Sequence, residues 1–392
     1  MSVPHLILAG RVLGQDGWIS PGALIVEEGR IAFIGSPDHV GTQPAQMTDL
    51  RPLQLVPGFI DVHIHGWGGV RIESGAQARQ VASDMARNGT TSFLPTLVGA
   101  PDFASLLARL EDTAAASGTT AGAEILGVHL EGPFLNPDPA VRGAQLPEYM
   151  RVPSLADLRA LHDRSHGRLL YMTIAPELPG ALEVIREATR LGIITGAAHS
   201  AASYEETLEA LAAGLKTTVH TFNGMKPMHH RAPGLVGAAL TQEGLMTEII
   251  ADGVHVAPAA VALLVRCKGV HSVILVTDSV QFAGLPDGRY ERDGGRTVLK
   301  MGDRCSLDQG GALAGSVVGM YRDVLNATRF AGLDLADGVR MASANPARLL
   351  GLAHSKGTLA PGWDADVVAL DDHGSVVWTM VRGLVVVDTA RR

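Results

Sequence analysis

The chain has 392 residues, 46% of them apolar, with a formal net charge of −8 and a mean hydropathy of +0.17. That length suits one large domain plus a smaller one, and the acidic balance without a long basic run excludes a general nucleic-acid binder. Only two cysteines occur, Cys267 and Cys305, and no apolar run reaches about 18 residues, which excludes a disulfide framework and a membrane span.

The start, Met1-Ser2-Val3-Pro4-His5, lacks the basic n-region of a secretory signal, so a cytoplasmic protein is expected. Residues 3–55 read as short strands: His5–Leu8, Ala23–Val26 and Arg30–Ile34, separated by glycine-containing turns. The carboxyl end returns to this style in Asp366–Leu370, Ser375–Trp378 and Val381–Val387. Either end alone has too few strands to be stable, so 1–55 and 351–392 are expected to form one small β domain.

Between Val56 and about Leu350, strand-like runs alternate with helical patterns, the βα rhythm of a parallel sheet. Expected strands end at His63/His65, Pro95, Glu131, Glu177, His199, His220, Asp252 and Asp278. Expected helices cover Ala76–Asn88, Ala104–Ala116, Ser154–His162, Ala181–Leu191, Tyr204–Ala213 and Pro258–Cys267. Eight strands are the number a closed barrel needs, so 56–350 is assigned to a (β/α)₈ barrel of the α/β class. Residues 280–313 break the rhythm with Gly, Asp and short β runs and read as an insertion near the barrel mouth.

The chemistry sits at the strand ends, where active sites of this fold lie. His63 and His65 alternate with Ile64, so both imidazoles point to one side and can grip one ion. Glu131 closes the third run ahead of Gly132-Pro133 and supplies an anionic oxygen that can bind one ion or bridge two. His129 shares its face and is better suited to supporting a ligand or to the core. His199 and His220 each follow an apolar run, and with Glu131 they make a His₂Glu set, the composition of a catalytic zinc site. Asp278 ends the eighth run, where a carboxylate can take a proton from water and return it to a leaving group. Asn223-Gly224 and His229-His230-Arg231 offer amide, backbone and guanidinium donors suited to phosphate. His255 is placed to donate to a carbonyl oxygen that gains charge.

In chain order, the stretches P-G-F-I-D-V-H-I-H-G, H-L-E-G-P-F, A-A-H-S-x-x-S-Y-E-E, H-T-F-N-G-M-x-P-x-H-H-R-x-P-G, A-D-G-V-H-V, T-D-S, G-L-P-D-G-R-Y, L-A-G-S and A-S-A-N-P-A span nearly the whole sequence. By these motifs the chain resembles the N-acetylglucosamine-6-phosphate deacetylases of the amidohydrolase superfamily. The resemblance implies a sandwich built from both termini, a metal-dependent barrel, a homodimer, and hydrolysis of the acetamide of an amino sugar 6-phosphate. It implies Glu131, His199 and His220 as metal ligands, with His63 and His65 completing a second position. One or two divalent ions are expected, zinc first, with iron, manganese or cobalt as alternatives. Asp278 and His255 are the implied catalytic pair, and Gln145, Asn223, Gly224, His255 and Arg231 the implied substrate contacts, Arg231 reaching the phosphate from the neighbouring subunit's loop.

The sequence also departs from that pattern. Gly143-Ala144-Gln145 stands where the family usually has G-A-H, which bears on sugar-hydroxyl recognition and leaves open the galactosamine epimer as substrate. A cyclic-imide hydrolase or dihydroorotase-like enzyme would share the barrel and the His pair. Those enzymes carry a bridging carboxylated Lys late in strand four, and Tyr171–Glu177 contains none. A non-catalytic scaffold on the same barrel would have lost ligands that are all present here.

Overall fold

The computed structural model describes residues 3–41, 46–292, 296–308, 311 and 313–390. Met1 and Ser2 of the amino-terminal motif lie outside the described residues, as do parts of the 280–313 segment and the last two residues.

Two β-sheets face each other at one side of the molecule. The first runs in the order Arg30–Gly35, Gly22–Glu27, His5–Ala9, Gln46–Asp49. The second runs in the order Leu384–Asp388, Val376–Val381, Val367–Leu370, Gln54–Pro57, Arg11–Gly14, Gly17–Ile19. Its centre joins the two ends of the chain: Val367 pairs with Pro57 and Leu370 with Gln54, antiparallel. Ile7, Leu24, Ile31, Leu55, Trp378 and Met380 fill the space between the sheets, each almost fully buried. Neither end could bury this apolar surface alone, which is why they meet. The expected single strand Val381–Val387 is instead parts of two strands. Arg382 and Gly383 both take left-handed φ, +46° and +81°, the geometry of a tight hairpin turn.

The middle of the chain forms eight parallel strands, β1 Phe59–Ile64, β2 Thr90–Val98, β3 Val128–Glu131, β4 Leu169–Ile174, β5 Ile194–Ala197, β6 Thr217–Thr218, β7 Met246–Ile249 and β8 Val273–Leu275. Each pairs in parallel with the next, from β1 through β8. The ring closes just beyond β8, where Ile64 bridges Ser279, Asp278 N–H donates to the His63 carbonyl at 2.9 Å and His65 N–H to the Ser279 carbonyl at 2.8 Å.

Several expected strand ends move: β5, β6, β7 and β8 stop two or three residues before His199, His220, Asp252 and Asp278, which lie at the start of the following loops, and β2 and β4 also differ. Pro95 lies inside β2, at a register shift between Phe93 and Pro95 that accommodates its missing N–H, and β2 runs on to Val98. β4 stops at Ile174, and Glu177 belongs to the following loop, where its carboxylate accepts from Ser200 Oγ (2.7 Å), Ala201 N–H (2.6 Å) and Asn136 Nδ2 (2.8 Å). The expected helices form within a few residues of their predicted ends, several behind side-chain caps; Ser203 and Glu206 make a reciprocal capping box on Tyr204–Ala213. Further helices at Gly234–Thr241, Met320–Ala331, Leu335–Ala342 and Ala344–Leu349 complete the outer layer. After β8, Gly288–Arg292, Arg296–Met301 and Arg304–Leu307 form a small antiparallel sheet on its own apolar cluster, with Phe282, Val298 and Cys305 buried.

Candidate metal and active site

Each site residue is delivered by the end of a barrel strand. His63 is on β1 and His65 just beyond it, Glu131 closes β3, His199 follows β5, His220 follows β6 and Asp278 follows β8. Three of them turn sharply as the strand ends, with φ of +46° at His199, +33° at His220 and +45° at Asp278. Non-glycine residues in that region cost about 1–3 kcal/mol each, and such strain gathers where side-chain direction matters more than backbone comfort.

The side chains converge on Glu131. Its Oε1 lies 3.0 Å from His199 Nε2 and 3.2 Å from His220 Nε2, and those two nitrogens are 3.2 Å apart. On the other side, His63 and His65 bring their Nε2 atoms to 3.1 Å, with His65 Nε2 3.4 Å from Glu131 Oε2. Two ligands bound at about 2.0–2.1 Å with a tetrahedral angle between them stand about 3.3 Å apart. The donor atoms therefore already have ligand spacing.

Tautomers agree with that assignment. His199 Nδ1 faces the Val141 carbonyl at 3.1 Å and His65 Nδ1 the Thr96 carbonyl at 3.2 Å. A carbonyl only accepts, so each Nδ1 carries the proton and each Nε2 keeps its lone pair for an ion. Among the described residues two groups could hold ions, His63/His65/Glu131 and Glu131/His199/His220, with Glu131 common to both.

The electrostatics follow from burial among charges. Burial opposes ionisation of Glu131, but the imidazoles of His199, His220 and His65 around it outweigh that and hold its pKa well below the ordinary value. Burial also opposes protonation of His63, yet the carboxylates of Asp278, Glu248 and Glu131 prevail and raise it to about 10. Asp278 Oδ1 lies 3.2 Å from His65 Nε2 and 3.4 Å from His63 Nε2. Against the desolvation cost, these imidazoles lower its pKa, so it is a carboxylate.

His255 Nδ1 donates to Asp252 Oδ2 at 2.6 Å, while Asp252 Oδ1 accepts the N–H groups of Val254 and His255. Burial lowers the His255 pKa and Asp252 raises it, with a net rise. This orients the ring and leaves Nε2 as a charged or readily charged donor.

The remaining expected contacts are placed differently from one another. Asn223 Nδ2 donates to the His220 carbonyl at 3.2 Å, securing the strained turn there. Gly224 packs so tightly beside His199 that a Cβ would fall 2.7 Å from its Nδ1. Gln145 Nε2 donates to Glu131 Oε2 at 2.6 Å, so it touches a ligand carboxylate directly. Arg231 is not drawn into the cluster: it is exposed and bonds to His229 and His230 of its own loop.

Some residues around the site were not singled out by sequence. Asp61 accepts from Thr277 Oγ1 at 2.5 Å and from the His63 and Thr277 N–H groups, tying β1 to the segment that carries Asp278; burial pushes its pKa up to about 7 against those bonds. Glu248 lies fully buried inside the barrel, and the signal for it was a lone acid within the apolar run Met246–Ile250. His129, by contrast, is expected from the sequence to be a supporting or core residue, and it is buried: its Nε2 pairs with Thr173 Oγ1 at 2.8 Å and its ring stacks on Tyr171.

Comparison with known proteins bears on these features. The model of the amidohydrolase family matches residues 54–386. The chain is 37% identical to the N-acetylgalactosamine-6-phosphate deacetylase of Escherichia coli O157:H7, over 95% of this chain and 97% of that one. It is also 37% identical to the N-acetylglucosamine-6-phosphate deacetylase of Vibrio furnissii, over 98% and 96%. Among solved structures, a mutant N-acetyl-D-glucosamine-6-phosphate deacetylase from Mycobacterium smegmatis, in complex with N-acetyl-D-glucosamine-6-phosphate, superposes with a TM-score of 0.90 at 31% identity, covering 98% of this chain and 100% of that one.

Proposed function

The chain belongs to the amidohydrolase family, and from that premise we propose that it hydrolyses the acetamide of N-acetylglucosamine 6-phosphate to glucosamine 6-phosphate and acetate. The observation that carries the metal-dependent half of this function is the convergence of four imidazole Nε2 atoms on Glu131, with Asp278 set against His63 and His65. The full-length likeness to amino sugar phosphate deacetylases supports the substrate.

Glu131, His199 and His220 would hold one divalent ion, and His63 and His65 with Glu131 a second; the His/Glu donor set favours zinc, ahead of iron, manganese or cobalt. When bound, the ion supplies Lewis acidity that acidifies water and polarises a carbonyl. Asp278, ionised and beside the ligands, takes the proton of the attacking water and hands it to the departing amine. His255 donates from Nε2 to the acetamide oxygen as it gains charge, held in aim by Asp252. Asn223, the backbone at Gly224, and Arg231 bind the sugar phosphate. Because Arg231 is exposed in its own subunit, we assign it to the phosphate of a partner's site in a homodimer. For Gln145, the contact with Glu131 shifts its task from the sugar hydroxyls toward the ligand carboxylate. Among the described residues no helix is long and apolar enough to cross a membrane, and both cysteines are free, which supports our assignment to the cytoplasm.

The test is acetate release from N-acetylglucosamine and N-acetylgalactosamine, each with and without the 6-phosphate. Release confined to N-acetylglucosamine 6-phosphate supports the proposal. Preference for the galactosamine epimer, the substrate in the name of one relative, would replace the substrate, and release from none of the four would overturn the function.

A further inference from the structure

Barrel interiors are ordinarily filled by bulky branched side chains, and a buried carboxylate among them is costly unless it is bonded. Glu248 on β7 is such a carboxylate, with no exposed surface. Its Oε1 accepts the Tyr171 hydroxyl at 2.5 Å, and its Oε2 accepts the His220 backbone N–H at 3.3 Å. The same Oε2 faces His63 Nδ1 at 3.5 Å. That nitrogen is buried and has no hydrogen-bond partner within ordinary distance, so Glu248 is the acceptor it confronts. His63 is held from another side as well. The His129 ring meets it edge-on, with centroids 4.7 Å apart, and His129 in turn stacks on Tyr171 at 4.2 Å.

We propose that Glu248, steadied by Tyr171, is the positioning residue for His63 and thereby governs the ion held by His63, His65 and Glu131. The inference rests on the metal-site part of the proposed function and is independent of the substrate. A ligating imidazole presents Nε2 only while Nδ1 keeps its proton, and an acceptor at Nδ1 fixes that tautomer and makes the ring a stronger donor. His199 and His65 use backbone carbonyls for this purpose. His63 has a full carboxylate instead, which holds the proton at Nδ1 against the pull of Asp278 and Glu131 at Nε2. The other ion position loses little when Glu248 changes, because Glu248 reaches His220 only through its backbone.

Zinc(II) titration of the full-length protein, with ions per chain and affinity read by competition with a chromophoric chelator, tests this in Glu248→Gln, Tyr171→Phe, His63→Ala and His220→Ala. Expected is a wild type with two classes of zinc. Glu248→Gln should weaken the class that His63→Ala abolishes by about 10–100-fold while sparing the class that His220→Ala abolishes. Tyr171→Phe, a milder change that keeps the ring stack, should shift the same class in the same direction. If Glu248→Gln folds poorly, as shown by its thermal midpoint, Tyr171→Phe decides the question. Unchanged affinity in both classes, or an equal loss from both, would overturn the positioning role. A wild type that binds one zinc per chain would overturn it together with the second position. No zinc at all would instead remove the metal site on which it stands.

Discussion

Asp278→Asn separates proton transfer from everything else Asp278 does. Asn keeps the shape of the side chain and is among the few residues that tolerate its φ of +45°. The backbone bonds of Asp278, its N–H to the His63 carbonyl at 2.9 Å, which helps close the barrel, and its carbonyl from Ser316 N–H at 3.1 Å, do not involve the side chain. Alanine would be a poorer probe, since left-handed backbone costs it about 1–2 kcal/mol. What Asn removes is the negative, proton-accepting Oδ1, which sits 3.2 Å and 3.4 Å from the Nε2 atoms of His65 and His63. Loss of a general base costs about 10²–10⁴ in turnover, or about 2.7–5.5 kcal/mol of barrier. The assay is kcat for acetate release, alongside metal per chain and the thermal midpoint. A fall of that size with metal and midpoint retained is expected. Turnover within about threefold of wild type would refute the base. Metal lost in step with activity would make Asp278 a ligand instead.

Three further outcomes are expected. Glu131→Ala should remove bound metal altogether, because both donor groups share its carboxylate, whereas His199→Ala should remove one ion; metal analysis of the purified variants checks both. Arg231→Ala should lower kcat/KM for the 6-phosphate substrate by about 10–150-fold and spare the unphosphorylated sugar, the loss of a charge-assisted pair of about 1.5–3 kcal/mol. Mixing Arg231→Ala with Asp278→Asn subunits should restore activity if the contact crosses a dimer interface, and equal losses on both sugars would remove the phosphate role. Asp323→Asn concerns stability: Asp323 is fully buried with only the Ala251 backbone N–H, beyond ordinary bonding distance, to favour its charge, and burial with Asp252 and Asp61 nearby holds its pKa well above the ordinary value. The folded state therefore keeps a proton that the unfolded state has released, so this group's contribution to stability falls as pH rises above the ordinary carboxylate range. The variant should gain on wild type in urea midpoint between pH 5 and pH 8, and parallel curves would show that Asp323 does not titrate as described.

Local pattern made several parts of this protein legible. Alternation along a strand puts His63 and His65 on one side whatever the fold, and the apolar runs that end in Glu131, His199, His220 and Asp278 mark strand ends by their composition. The joining of the two ends in one β domain was legible too, because strands at each end of the chain were too few to stand alone. The Arg382-Gly383 turn was not, since the valines on both sides read as one run and the reversal depends on backbone φ. Pro95 looked like a terminator, and only its register against β1 shows how β2 absorbs it.

What tertiary structure decided was direction and company. Asp278 meets His63 because the ring closes between the first and last strands, a contact across more than half of the chain. Gln145 turns to Glu131, Glu248 faces His63 from two strands away around the ring, and Arg231 stays on the surface. None of these follows from spacing, because side-chain periodicity fixes which face of its own strand a residue takes. Which partner that face meets is set by barrel closure, strand stagger and loop path, and those exist only once the whole chain has packed.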